Sequence, residues 1–291
     1  MSSDILSILH SQAHTFSKGQ RLIAKYITES YDKAAFMTAS KLGKKVGVSE
    51  STVVRFAVEL GYDGYPSMQK AIQEMVLNRL TSVQRIEVAN DRMEGQDVIS
   101  TVLRADAEKL RQTEELLDRQ EFAKAVQAIL DTDRVYILGV RSAAPLANFL
   151  GYYLNYMSTN IHVVTTSGEG EMFERIVAIK PEDVVIAISF PRYSSATVKA
   201  AQYCRAAGAT VIGLTDSRLS PLGQNADYVL EAKSDMVSLV DSLVAPMSVI
   251  NALVVAIAAK REQRLSKIFT SLEQIWDEYH VYEKQEGGNG I

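Results

Sequence analysis

The sequence predicts an α + α/β protein in two parts: an all-helical head, then an α/β/α unit on a parallel five-stranded sheet. Three observations carry this. The segment Thr38–Arg55 reads as two short helices around a tight turn. From Asp133 the chain alternates short apolar runs with helix-like segments. Charge divides along the chain: residues 1–80 hold ten Lys/Arg against seven Asp/Glu, so a chain of net charge −4 carries +3 in its head and −7 beyond it. A mildly basic head on an acidic body fits one DNA-binding module joined to a different domain. The predicted layout is 1–81 as the head, 82–130 as linker and connecting helices, and 131–285 as the sheet-bearing unit.

Within the head, Ser17 opens a helix whose apolar face includes Leu22, Ile23, Tyr26 and Ile27. Gly43 is small enough for two helix backbones to approach closely. Gly47 suits the left-handed turn position, Val48 plugs the corner, and Ser49 is an N-cap for the next helix. From Val53, the apolar residues Phe56, Ala57 and Leu60 fall on one helical face. The other face offers Ser51, Thr52 and Arg55, short hydrogen-bonders plus a cation. That is the pattern of a helix-turn-helix, whose second helix enters the DNA major groove. Lys41, Lys44 and Lys45 sit where phosphates would run, and Ser49 joins them as a candidate contact. Residues 61–66 read as a turn and 67–80 as another amphipathic helix. Residues 82–96 are polar and read as a linker, and 97–130 as one or two helices with a break near Asp118–Glu121.

In the second part the apolar runs are Arg134–Gly139, Ile161–Thr165, Asp183–Ser189, Thr210–Thr215 and Tyr228–Leu230. Helical segments at 145–157, 172–179, 195–207 and 242–260 separate or follow them. Continuous apolar strands alternating with helices imply a parallel sheet covered on both faces. Ligands in such sheets bind beyond the carboxyl ends of the strands. There the chain places Gly139–Ser142, Ser189–Ser195 and Thr215–Ser217. Their hydroxyls, arginines and helix N-terminal amides suit an anion. The candidate effector contacts are Arg141, Ser142, Ser189, Arg192, Tyr193, Ser194 and Thr215.

Other chemistries find no support. No Gly-x-Gly-x-x-Gly follows the first strand, and no Gly-Lys-Ser/Thr phosphate loop is present. His10, His14, His162 and His280 lack metal-ligand spacing, and the lone Cys204 reads as a small buried residue. Hence no metal, cofactor or catalytic residue is assigned. Met1–Ile5 lacks a basic region followed by an apolar core, and the apolar stretch 243–259 is short for a membrane span and contains Pro246, Ser248 and Asn251. A soluble cytoplasmic protein without membrane association is expected. The tail, 286–291, reads as disordered.

The segments Thr38–Arg55 and Gly61–Tyr65 resemble the DNA-binding head of bacterial RpiR-type regulators. The segment 133–260 resembles a sugar isomerase (SIS) domain, notably Ile188-Ser-Phe-Pro-Arg-Tyr-Ser194, Gly208–Asp216 and Ser220-Pro-Leu222. The resemblance spans nearly the whole chain in order. It implies a transcription factor, without enzymatic activity, whose SIS domain senses a phosphorylated sugar or related anionic metabolite and alters binding to a double-stranded DNA operator. Two departures bear on the ligand. Val140-Arg141-Ser142-Ala143 replaces the usual glycine-rich turn, so that a gap-free alignment puts Ala143 at the serine position, and Pro191-Arg192 stands where a Ser-Gly pair is common. The alternative is an aldose–ketose isomerase using Glu169 or Glu171 as base. A non-DNA interaction module would require buried Ser51 and Arg55. Because one head covers a short site, a homodimer or homotetramer is expected, joined through the apolar helices near 145–157 and 243–259.

Overall fold

The computed structural model describes residues 14–79, 97–158, 160–166, 168–234 and 240–282, with Ile5, Ile8, Leu9, Gln12, Ile86 and Gly95. The expected tail lies outside the described residues, as does the linker 82–96 apart from Ile86 and Gly95. The chain divides into two compact units, Met1–Leu103 with Asp235–Asp241, and Arg104–Ser234 with Ser242–Ile291.

The first unit contains α1 (Lys18–Glu29), α2 (Tyr31–Ala34), α3 (Ala39–Val46), α4 (Glu50–Glu59) and α5 (Tyr65–Arg79). Ser17 begins α1 with a capping box: its hydroxyl accepts the Gln20 N–H, and the Gln20 side chain accepts the Ser17 N–H at 2.7 Å. Ile23 and Ile27 are fully buried, whereas Leu22 is 44% exposed. The i, i+4 stripe through Ile23 leaves its neighbour on the flank, so Leu22 leaves the expected apolar face. A single cluster of Phe16, Ile23, Ile27, Leu42, Val53, Phe56, Met68 and their neighbours forms the core. The α5 helix starts at Tyr65, inside the segment expected to be a turn. Pro66 falls in its first turn, where no N–H partner is needed. The Tyr65 hydroxyl donates to the Met37 carbonyl at 2.6 Å, and Gln69 and Gln73 donate to Met37 and Ala35. Burial pushes the Tyr65 phenol up to about 12.

The second unit carries β1 (Val135–Leu138), β2 (Ile161–Val164), β3 (Val184–Ile188), β4 (Thr210–Thr215) and β5 (Tyr228–Glu231), all parallel, in the order β2-β1-β3-β4-β5. Its helices are the body of α6 (Val98–Leu116), then α7 (Arg119–Asp131), α8 (Ala144–Met157), α9 (Glu169–Ile176), α10 (Ser195–Ala206), α11 (Val244–Lys260) and α12 (Glu262–Glu278). The two-residue period of the strands splits the apolar residues between two faces. Ile137, Ile186 and Ile212 pack with Ile129 of α7, Leu150 of α8 and Leu253 of α11. Leu138, Val185 and Val211 pack on the other face with Ile176 of α9 and Ala200 and Cys204 of α10. Every residue of β1 and β3 is buried, which explains their unbroken apolar character.

The α11 helix supplies Ala245, Pro246, Val249, Ile250, Leu253 and Ile257 to its own unit's core. The apolar residues of 243–259 that suggested a subunit contact are therefore largely used internally. No single described helix is long and apolar enough to cross a membrane. The α12 helix, beyond the last helix assigned from sequence, has no buried residue among its 17.

Candidate functional site

In the first unit, α3 and α4 meet at the turn formed by Gly47, Val48 and Ser49. Gly47 caps α3 in the left-handed conformation, with φ 77°. A Cβ on Gly43 would stand 2.8 Å from the Val48 carbonyl oxygen, so the two helices cross at a contact only glycine permits. The Ser49 hydroxyl caps α4 by accepting the Thr52 N–H. Lys41, Lys44, Lys45, Ser49, Ser51 and Arg55 are all exposed. The exposure of Ser51 and Arg55 removes the condition on which the non-DNA reading rested. The Arg55 Nε donates to the Ser51 carbonyl at 3.3 Å, which lays the side chain along its own helix.

Thr52 is the exception among the predicted base contacts. It is half-buried, its hydroxyl lies 2.8 Å from the Ser49 hydroxyl, and its methyl group lies beside Gly19 of α1. It serves the packing of α4 on α1 more than the open face. Val54 and Val58, 38% and 56% exposed, complete that face instead. A valine methyl suits the thymine methyl in the major groove. The signal for them in the sequence was a pair of apolar residues outside the buried stripe.

In the second unit the strand order reverses between β1 and β3, which is the crevice where open α/β sheets bind ligands. Two of the predicted loops flank it. The β1 loop makes a short helical turn, Arg141–Ala143, with Arg141 and Ser142 exposed. The β3 loop leads into α10, whose N-cap Ser194 accepts the Thr197 N–H. Arg141 and Arg192 both have φ 56°, a left-handed conformation uncommon for side chains other than glycine, asparagine and aspartate. Such backbone gathers at functional sites, where surrounding structure holds it in place.

Ser189 and Thr215 have structural tasks here. Ser189 is 3% exposed, and its hydroxyl accepts the Ser194 N–H at 3.1 Å, which fixes the loop entering α10. Thr215 is fully buried and its hydroxyl pairs with Ser220 at 3.0 Å. These two predicted contacts sit beneath the loops and shape them, because the strand ends that carry them are inside the sheet layer. The Tyr193 hydroxyl shares its one proton between the carboxylate oxygens of Asp216, at 2.8 and 3.1 Å, with the Thr215 hydroxyl a second donor at 3.2 Å. Burial raises the Asp216 carboxyl above its ordinary range, and the Tyr193 hydrogen bond partly opposes this. Asp216 belongs to the Thr215–Ser217 loop but is not among the candidate contacts. It ties the β3 loop to the β4 loop.

The two glutamates considered as bases begin α9. Glu169 is bound by Lys199 at 3.0 and 3.1 Å and by the Ser195 hydroxyl at 3.3 Å. Lys199 holds its carboxyl below the usual range. The Thr166 hydroxyl, 2.5 Å away, does the same for Glu171, with help from Arg175.

Comparison with known proteins agrees with this geometry. A model of the rpiR-family helix-turn-helix domain matches residues 3–78, and a SIS domain model matches residues 128–256. The sugar isomerase domain of an RpiR transcription factor from Sphaerobacter thermophilus is 30% identical, with 62% of this chain and 99% of that chain covered and a TM-score of 0.59. The NanR protein of Vibrio vulnificus, solved in complex with ManNAc-6P, shares the fold at 20% identity and a TM-score of 0.59, with 93% of this chain and 98% of that one covered. An uncharacterized HTH-type transcriptional regulator of Caldanaerobacter subterraneus is 24% identical over 263 residues, 89% of this chain and 92% of the relative.

Proposed function

The chain belongs to the rpiR family of helix-turn-helix regulators carrying a SIS domain, and from that premise we propose which residues read DNA and which hold the effector. On the head, Ser51, Val54 and Arg55 of α4 reach base edges. Lys41, Lys44 and Lys45 neutralise phosphates, and Ser49 fixes the start of the reading helix. Two heads of a homodimer meet a two-fold symmetric operator in the cytoplasm. In the SIS domain, a small anion, taken to be a phosphosugar, sits between Arg141–Ser142 and Arg192–Ser194. Its charge is met by the two arginines and the amides opening α10. That the Vibrio vulnificus relative was solved with a sugar phosphate supports the choice of ligand class. The observation that carries the reading is the pair of left-handed arginines at the sheet's switch point.

The isomerase alternative has less support. A base that moves a carbon-bound proton works best with a pKa near the operating pH. Glu169 and Glu171 are exposed, ion-paired and held below the ordinary carboxylate range, the opposite direction.

Calorimetry with a panel of sugar phosphates, alongside gel shifts on the operator, tests the assignment. Arg192→Ala is expected to abolish effector binding and leave effector-free DNA affinity nearly intact. Normal effector binding by this variant would remove Arg192 from the pocket, and lost DNA affinity without effector would make it structural.

A further inference from the structure

The first turn of α10 already seats an anion, and the chain itself supplies it. One carboxylate oxygen of Glu169 accepts from the Ser195 hydroxyl at 3.3 Å and from the Lys199 ammonium at 3.0 Å. The other oxygen accepts from the same ammonium at 3.1 Å. Ser195 is the first residue of α10, and Lys199, one turn on, carries its side chain back towards that end. The Ser194 hydroxyl caps Thr197, which leaves the Ser195 and Ala196 amides open among the described residues. Glu169 is the first residue of α9. Because α9 leads from β2 to β3 and α10 leaves β3, both helices start at the carboxyl edge of the sheet, where the effector is placed.

What holds Glu169 there is modest. The side chains of Lys199 and Glu169 are 54% and 48% exposed, and an ion pair so open to water contributes little. The start of α9 adds little rigidity of its own. Its N-cap, Gly168, offers no side-chain hydrogen bond, and Gly170 stands in the first turn with open space around it. A phosphate monoester carries about −1.5 to −2 charge at neutral pH and three acceptor oxygens, where a carboxylate has a single charge and two oxygens. It is the better partner for Lys199, the Ser195 hydroxyl and the open amides together.

We propose that Glu169 is an internal occupant of the effector seat. In the effector-free chain its carboxylate fills the place of the effector's anionic group. The effector displaces it, takes Lys199 as a further contact and frees the start of α9. This inference rests on the effector assignment above and adds to it a contact, Lys199, and a competitor, Glu169. Displacement gives the SIS domain two arrangements that differ in their contacts, which a ligand requires if it is to shift an equilibrium.

Titration calorimetry of the full chain with inorganic phosphate at neutral pH tests it. Glu169→Gln removes the competitor and is expected to bind phosphate about two- to fivefold more tightly. Glu171→Gln makes the same charge change on the same turn, but Glu171 is held by Thr166 and Arg175, so this variant should bind as the unaltered chain does. Lys199→Gln should weaken phosphate binding several-fold, and adding Glu169→Gln to it should restore nothing. Hydrogen exchange in the first turn of α9 should rise when phosphate is added to the unaltered chain, and should already be raised without phosphate in Glu169→Gln. The proposal is overturned if Glu169→Gln binds phosphate no better than Glu171→Gln, if neither it nor the unaltered chain binds phosphate, or if phosphate fails to speed exchange at the start of α9. Arg192→Ala, measured beside these, separates the two levels. Binding lost in Arg192→Ala, with equal binding by the two glutamine variants, overturns this inference alone. Unchanged binding by Arg192→Ala removes the effector assignment with it.

Discussion

Arg141 and Arg192 occupy the same left-handed backbone conformation, φ 56° each, on the loops that leave the adjacent strands β1 and β3. One strained arginine is an oddity of a turn. Two, on the loops that flank the point where strand order reverses, form an arrangement that glycine would adopt at lower cost. An arginine at each position fits the proposed role of the guanidinium groups in holding an anion.

This separates backbone from side chain. Arg192→Gly is expected to stabilise the SIS domain by about 1 kcal/mol through relief of the left-handed strain and to lose effector binding. Arg192→Ala should lose binding without the gain, since alanine keeps a Cβ. Scanning calorimetry with and without a sugar phosphate reads both effects. A glycine variant that is less stable than the alanine variant would show that the loop is not strained.

The helix-turn-helix corner depends on two glycines for different reasons. At Gly43 a Cβ would press on the Val48 carbonyl, whereas at Gly47 space is open and only φ 77° resists a side chain. Gly43→Ala should cost about 1–3 kcal/mol by overpacking, and Gly47→Ala about 1–2 kcal/mol. Asparagine, which tolerates the left-handed region, should recover part of the loss at position 47 and none at 43. Thermal melting of the four variants checks the contrast.

On DNA, Arg55→Ala is expected to cost about 1–3 kcal/mol at the operator and to relax specificity at one base. Lys44→Ala should weaken all sequences alike and reduce the slope of log affinity against log salt by about 1. Gel-shift titrations at several salt concentrations distinguish them. A flat response to Arg55→Ala would displace the reading face from α4.

The raised Asp216 carboxyl predicts a pH effect of definite sign. A carboxyl whose folded pKa lies above its ordinary 3.8 binds its proton more tightly in the native state. Stability therefore falls as pH rises from the ordinary value through the raised one, and the ionised form is a standing cost at neutral pH. Asp216→Asn retains an acceptor for Tyr193 and Thr215 and removes that cost. Its melting temperature should exceed that of the unaltered chain at neutral pH, and the gap should shrink on acidification. A gap that widens as pH falls would mean that the Tyr193 hydrogen bond, not burial, dominates.

The sequence by itself determined the two-part architecture, the turn at Gly47, the cap at Ser49, the five apolar strands and the loops that leave them. Each is a local property, a periodicity or a turn residue, and survives without knowledge of neighbours. Tertiary structure decided the rest. Thr52 and Arg55 look alike as polar residues on one helix, but only packing against Gly19 separates a half-buried threonine from an exposed arginine. Ser189 and Thr215 read as ligand contacts until the sheet layer buried them. Asp216 lies in a loop the sequence singles out, but its role is not legible there because its partner, Tyr193, lies 23 residues away. Exposure and long-range pairing depend on which segments the fold brings together, and no local pattern encodes that.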